Sequence, residues 1–282
     1  MSKVAVVGAG TMGNGIAHVF AQRGWETSLI DVSQDALDRG VATIKKNLER
    51  QTKRGAVSGA RCAEILERIE TSTSLDAAKD AEIVIEAATE DPEIKFMIFR
   101  DLDRRAPPGA ILASNTSSIS INEIAAQTKR PNAVVGMHFM NPVPVMTLVE
   151  IIRGKATSED TVSKTVAIAK ELGKTPVEVN DAPGFVSNRV LMPMINEAIF
   201  CVKDGIATPQ AVDEVMKLGM GHPLGPLALA DLIGLDVCLS IMRVLQDGLD
   251  KQKYRPAPLL EKMVTAGKLG RKSGQGFYAY RD

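Results

Sequence analysis

The chain has 282 residues, enough for two domains or one large one with substantial cores. Lysine plus arginine balances aspartate plus glutamate at 34 each, so no net field draws it to nucleic acid or to an anionic membrane. No apolar run is long enough to span a bilayer, a first strand at Lys3 or Val4 leaves no room for a leader peptide, and Cys62, Cys201 and Cys238 form no ligand cluster; a cytoplasmic protein without a metal is predicted.

Val4 to Val7 reads as a strand buried on both faces, and it runs directly into Gly8, Gly10 and Gly13, spaced G-x-G-x-x-G ahead of a helix. The first glycine permits a tight turn, the second lets backbone approach a pyrophosphate, and the third allows close helix–strand packing. Phosphate would sit on the open N–H groups of the helix over Met12 to Arg23. Thr27 to Ile30 predicts a second strand ending at Asp31, placed to accept from both ribose hydroxyls of an adenosine and to disfavour a 2′-phosphate. Strand, glycines, helix, strand and acid together predict a dinucleotide site for NAD. His18, on the first helix, has nothing nearby to make it a ligand or a base and is read as structural.

Ser33 is a good N-cap for a helix running to about Arg54, and a second helical stretch follows from Gly59 to Ile69, so a helical insertion separates the second strand from the next. Its basic end, Lys53 and Arg54, is either a solvated face or a contact for the phosphates of a large ligand. Ile83 to Ala87 is the next buried strand, ending near Glu90. Asp91-Pro92-Glu93 starts a helix as cap, first-turn proline and first-turn acid. Lys95 opposes the helix dipole there, as an exposed lysine tolerates or as a ligand contact requires. Ile111 to Ala113 is a strand that runs into Ser114-Asn115-Thr116-Ser117-Ser118, either a capped turn or a polar cluster where ligands bind in open parallel sheets.

Val134 to Phe139 is a strand carrying His138. Asn141-Pro142-Val143-Pro144 must turn, and Thr147 to Ile152 resumes as a strand containing Glu150. If the two pair antiparallel about a turn near Pro144, positions 138 and 150 stand opposite one another, which is the arrangement a proton-transferring base needs. Thr161 to Leu172 is a helix, Val177 to Val179 a last short strand, and Asn180 to Gly184 the natural domain boundary. From Pro183 the chain reads helical throughout. Leu191 to Val202 is apolar nearly all round, as a helix central to its domain or buried against a second subunit would be, and Leu227 to Leu249 reads as a long helix, broken or kinked near Gly234. Gly270 to Gly276 lacks Walker spacing and is read as a surface tail, with ligand closure the alternative.

Six blocks of this sequence resemble the short, stand-alone L-3-hydroxyacyl-CoA dehydrogenases, most closely the bacterial 3-hydroxybutyryl-CoA dehydrogenases: VGAGTMGNGIA from Val7, ASNTSS from Ala113, HFMNPVPVMTLVEI from His138, DAPGFVSNR from Asp181, GHPLGP from Gly221 and GRKSGQGFY from Gly270. The resemblance covers essentially the full length. It implies an α/β fold: a Rossmann-type, mostly parallel sheet domain over 1–182 with a helical insertion at about 33–70, then an all-α domain over 183–282 that forms a homodimer. It further implies NAD as cofactor and an acyl-CoA of fatty acid metabolism bound in a cleft between the domains. It assigns His138 as acid/base with Glu150 as its partner, Ser117 and Asn188 to the substrate oxygens, and Lys53 and Arg54 to the CoA end. Around the cofactor it places Gly8, Ala9, Gly10, Thr11, Met12, Gly13, Asp31, Glu90, Lys95, Asn115, Ser117, Asn141 and Lys272. Two rivals are a hydroxyacid dehydrogenase with a lysine base in its helical domain, against which the His138–Glu150 pair speaks, and a non-catalytic NAD-binding protein that kept the fold.

Overall fold

The computed structural model describes residues 2–280. The chain divides into two compact units, the first running to Asp181 and the second starting at Ala182.

In the first unit the elements are β1 (Lys3–Val7), α1 (Thr11–Gln22), β2 (Glu26–Ile30), α2 (Gln34–Lys53), α3 (Gly59–Glu67), β3 (Ile69–Ser72), β4 (Ile83–Glu86), α4 (Pro92–Arg105), β5 (Ile111–Ser114), α5 (Ile121–Ala125), β6 (Val134–Phe139), β7 (Leu148–Arg153), α6 (Glu159–Glu171) and β8 (Thr175–Asn180). The strands form one sheet in the order β3-β2-β1-β4-β5-β6-β7-β8. From β3 to β6 all neighbours are parallel; β7 runs antiparallel to β6, and β8 parallel to β7. The central strands are apolar except at one end, where Lys3 opens β1, Glu86 closes β4 and Ser114 closes β5, because crossover helices hide both faces of a parallel sheet. Helix starts follow capping chemistry: Ser33 accepts from Ala36 N–H at α2, and Asp91 from Ile94 N–H ahead of Pro92 at α4.

Two local readings need correction. The stretch after Gly59 leaves the helix at Glu67, and Ile69–Ser72 forms an edge strand beside β2. It is too short and too exposed to show a clear period. The last strand of this unit is also longer than Val177 to Val179, spanning Thr175–Asn180.

Trp25 precedes β2 and is buried edge-on to Phe20 with ring centroids 5.2 Å apart, its Nε1–H donating to Glu171 at 2.9 Å. His18 is fully buried on α1. Burial first, and the Lys174 charge second, push its pKa down to about 4, so it is neutral at physiological pH. Lys174 itself donates to the carbonyls of Val143 and Met146, at 2.5 and 2.7 Å, and so fastens the turn between β6 and β7.

The second unit contains α7 (Ser187–Lys203), α8 (Pro209–Met220), α9 (Pro226–Ile233), α10 (Leu235–Gly248) and α11 (Pro258–Thr265) around a core that includes Met192, Ile195, Leu227, Leu235 and Leu245. Of the two readings for the stretch from Leu227, a break or a kink near Gly234, the break holds: it is two helices, because Gly234 at φ 105° cannot continue either one. The unit is not helical throughout. Beyond α11 the chain closes on itself through isolated bridges from Gln275 to Gly270 and Ala279, and two buried carboxylates receive it. Asp231 accepts from the N–H groups of Phe277 and Tyr278 and from the Tyr280 hydroxyl, while Asp213 accepts from the Tyr278 hydroxyl at 2.7 Å.

Candidate active site

The strand order reverses between β1 and β4, and in an open parallel sheet ligands bind beyond the strand ends at such a point. There the glycine loop closes tightly. A Cβ on Gly8, at φ 101°, would stand 2.5 Å from Ala88 Cα, and one on Gly13 would stand 1.7 Å from the Gly8 carbonyl oxygen. Gly10 faces open space instead. It caps α1 without a side-chain hydrogen bond, and no acidic residue follows in the first turn, so the helix dipole and its open N–H groups meet an approaching anion unopposed. A pyrophosphate fits this cradle formed by Gly8 to Gly13, with Ala9, Thr11 and Met12 supplying its backbone.

Asp31 stands just past β2 and is half-buried. Its Oδ2 accepts from Ala9 N–H at 2.8 Å and its Oδ1 from Ser33 N–H at 3.0 Å. The carboxylate is thereby aimed by the glycine loop, and each oxygen keeps a second lone pair for a ribose hydroxyl.

The loops after β4 and β5 meet through Glu90. One of its oxygens accepts both the N–H and the hydroxyl of Ser117, at 2.7 and 2.8 Å, and the other accepts the Thr116 hydroxyl at 2.6 Å. Asn115 is buried, and its Oδ1 accepts from Phe139 N–H at 2.9 Å. Of the two readings left for Lys95, an exposed lysine or a ligand contact, the first does not hold: it is 1% exposed, with its ammonium paired to Glu86 of β4.

On β6 and β7 the register sets His138 opposite Glu150, with His138 Nδ1 2.8 Å from Glu150 Oε2. Both side chains are buried. A carboxylate is an acceptor only, so Nδ1 carries the proton and proton exchange with a ligand falls to Nε2. Asn141 lies exposed in the turn beyond β6.

Lys53 and Arg54 are exposed at the end of α2, distinct in element from the strand-end cluster. Asn188 and Lys272 belong to the second unit. Asn188 is buried in the first turn of α7, and Lys272 pairs with Asp236 at 2.6 Å. Sequence reasoning missed Glu86 and Lys174. Glu86 carries a readable signal, a carboxylate ending the apolar run Ile83-Val84-Ile85, whereas the carbonyls held by Lys174 are backbone groups with no signature.

Comparison with known proteins adds to this geometry. The profile for the 3-hydroxyacyl-CoA dehydrogenase NAD binding domain matches residues 3–182, and that for the 3-hydroxyacyl-CoA dehydrogenase C-terminal domain matches residues 184–280. A Bacillus subtilis protein named "Probable 3-hydroxybutyryl-CoA dehydrogenase" is 57% identical over 100% of this chain and 98% of its own length. The 3-hydroxybutyryl-CoA dehydrogenase of Bradyrhizobium diazoefficiens is 52% identical over 100% of this chain and 96% of its own. The crystal structure of (S)-3-hydroxybutyryl-CoA dehydrogenase PaaH1 from Ralstonia eutropha superposes with a TM-score of 0.97 at 50% identity, covering 100% of both chains.

Proposed function

The chain belongs to the 3-hydroxyacyl-CoA dehydrogenase family, and on that premise we propose that it interconverts (S)-3-hydroxybutyryl-CoA and acetoacetyl-CoA with NAD. The observation that carries the reading is the 2.8 Å contact between His138 and Glu150 on adjacent strands of the NAD-binding unit. When bound, the nicotinamide supplies a hydride acceptor or donor at C4. His138 Nε2 takes the proton of the 3-hydroxyl in oxidation and returns it in reduction. Glu150 fixes the ring's tautomer and stabilises the imidazolium as it forms, the part a carboxylate plays in a hydrolase triad. Ser117, oriented by Glu90, and Asn188 hold the substrate oxygen in line.

The glycine loop binds the pyrophosphate, Asp31 the adenosine ribose, and Glu90, Asn115, Asn141, Lys95 and Lys272 complete the surroundings of the cofactor. Lys53 and Arg54 take the phosphates of CoA. The second unit joins a second copy of the chain through the exposed apolar residues Ile206, Val215, Leu218 and Met220. No helix among the described residues is long and apolar enough to cross a membrane, and three unpaired thiols suit a reducing cytoplasm.

The test is NADH oxidation followed by absorbance with 3-oxoacyl-CoA substrates of graded length, including one with a terminal carboxylate. The highest kcat/KM is expected on acetoacetyl-CoA. Turnover of hydroxyisobutyrate in preference to any 3-hydroxyacyl-CoA would sink the reading.

A further inference from the structure

Strand β4 ends in a carboxylate that the proposed proton transfer and cofactor contacts leave without a part. Glu86 and Lys95 are buried together, with side chains 0% and 1% exposed. Glu86 Oε1 accepts from Ala88 N–H at 2.9 Å. Its Oε2 accepts from the Lys95 ammonium and from the Ser114 hydroxyl, the latter at 2.9 Å. Its backbone carbonyl accepts Asn115 N–H at 2.8 Å, and Asn115 in turn holds Phe139, the neighbour of His138.

A dry ion pair is a costly way to fill a core, since matched apolar side chains of similar volume often stabilise a fold as well or better. Apolar side chains could not, however, accept from Ala88 and Ser114. The one carboxylate ties together the loop after β4, the first turns of α4 and the end of β5, three segments that border the crevice at the β1/β4 reversal. Ala88 is also the backbone that stands against Gly8, at the 2.5 Å a Cβ would leave. The Glu86–Ala88 bond therefore sets how far this wall stands from the glycine loop.

We propose that Glu86 is a positioning residue for the dinucleotide, holding the wall opposite the glycine loop through Ala88, Lys95 and Ser114. The inference rests on the NAD-dependent reading for its ligand. Glu86→Gln keeps the shape but leaves the Lys95 charge unmatched and replaces one acceptor by a donor. NADH affinity, titrated by its fluorescence, is expected to fall about tenfold or more, while the KM for acetoacetyl-CoA stays within about twofold. A merely structural role would lower the folded fraction and leave the constants of the remaining enzyme unmoved, or move both ligands together. Either result, or an NADH Kd within about twofold of wild type, overturns the assignment. Should Glu86→Gln yield no folded protein, Ser114→Ala removes one donor and leaves the ion pair whole. An NADH Kd raised about threefold at constant acetoacetyl-CoA KM is then expected, and an unchanged Kd overturns the proposal. Wild-type NADH binding in the same titration checks the cofactor reading, so the two failures are separate results.

Discussion

Ser117 gives both its amide N–H and its hydroxyl to a single carboxylate oxygen of Glu90, at 2.7 and 2.8 Å. Two loops that follow different strands thus share one anchor, and neither residue can be perturbed alone. Glu90→Gln turns one acceptor toward donors, so kcat/KM is expected to fall roughly tenfold to hundredfold. Ser117→Ala added to it should cost less than it does in the wild type, because residues in one network couple. A double-mutant cycle of steady-state rates measures this, and strictly additive losses would show the loops to be independent.

Asp31→Ala removes the acceptor assigned to the ribose hydroxyls and the one observed for Ala9 N–H. NADH use should weaken by about 1.5–3 kcal/mol, the range for hydrogen bonds to a charged group, and the margin over NADPH should narrow. Kinetics with the two cofactors check it. A preserved NADH/NADPH ratio would take Asp31 out of the cofactor site.

Glu150→Gln keeps the shape beside His138 but loses the charge that supports the imidazolium. Turnover on saturating substrates should drop by roughly 10²–10⁴, the usual worth of a positioned acid/base, with NADH affinity nearly unchanged. Wild-type turnover in Glu150→Gln beside an inactive His138→Ala would mean that His138 works without this partner.

His18 gives a pH signature unrelated to catalysis. Its pKa is near the ordinary 6.5 when unfolded and about 4 when folded. The unfolded chain therefore binds the extra proton between those values, and stability is full above pH 6.5 and lost as pH falls toward 4, by roughly 3 kcal/mol from this residue. Urea midpoints of wild type and His18→Leu at pH 7.5 and 4.5 should diverge by the loss of this term, the variant falling less. Parallel curves would mean that the ring takes up its proton without strain.

The apolar residues left open on the second unit, Leu218 at 83% and Ile206 at 73% among them, predict a dimer that persists on dilution. Sedimentation at micromolar concentration should show one species near twice the 30.2 kDa chain mass. Leu218→Glu should shift it toward monomer, and a wild-type monomer would remove the assignment.

The pairing of His138 with Glu150 could be counted outward from the Pro144 turn, because a ladder with a period of two admits few registers and the prolines fix where the strands stop. The glycine loop was legible for a similar reason, each glycine answering a local backbone demand. Lys95 was not, since what buries it is Glu86 on the preceding strand, a tertiary partner that no helix rule contains. Ile69–Ser72 was hidden because an edge strand of four residues borrows its order from β2. An interruption near Gly234 was legible as either a break or a kink, and the positive φ there decides for the break.

Trp25 is the chain's one tryptophan, and it is buried in the first unit with Phe20 and Glu171 around it. Excited at the red edge of its absorption, where tyrosine is silent, its emission reports the opening of that unit alone. Far-UV circular dichroism, by contrast, sees the helices of both units. Melting curves from the two signals coincide if the units unfold as one cooperative block and separate if the second melts by itself, so this single indole turns an ordinary denaturation experiment into a measurement of how independently the two halves are stable.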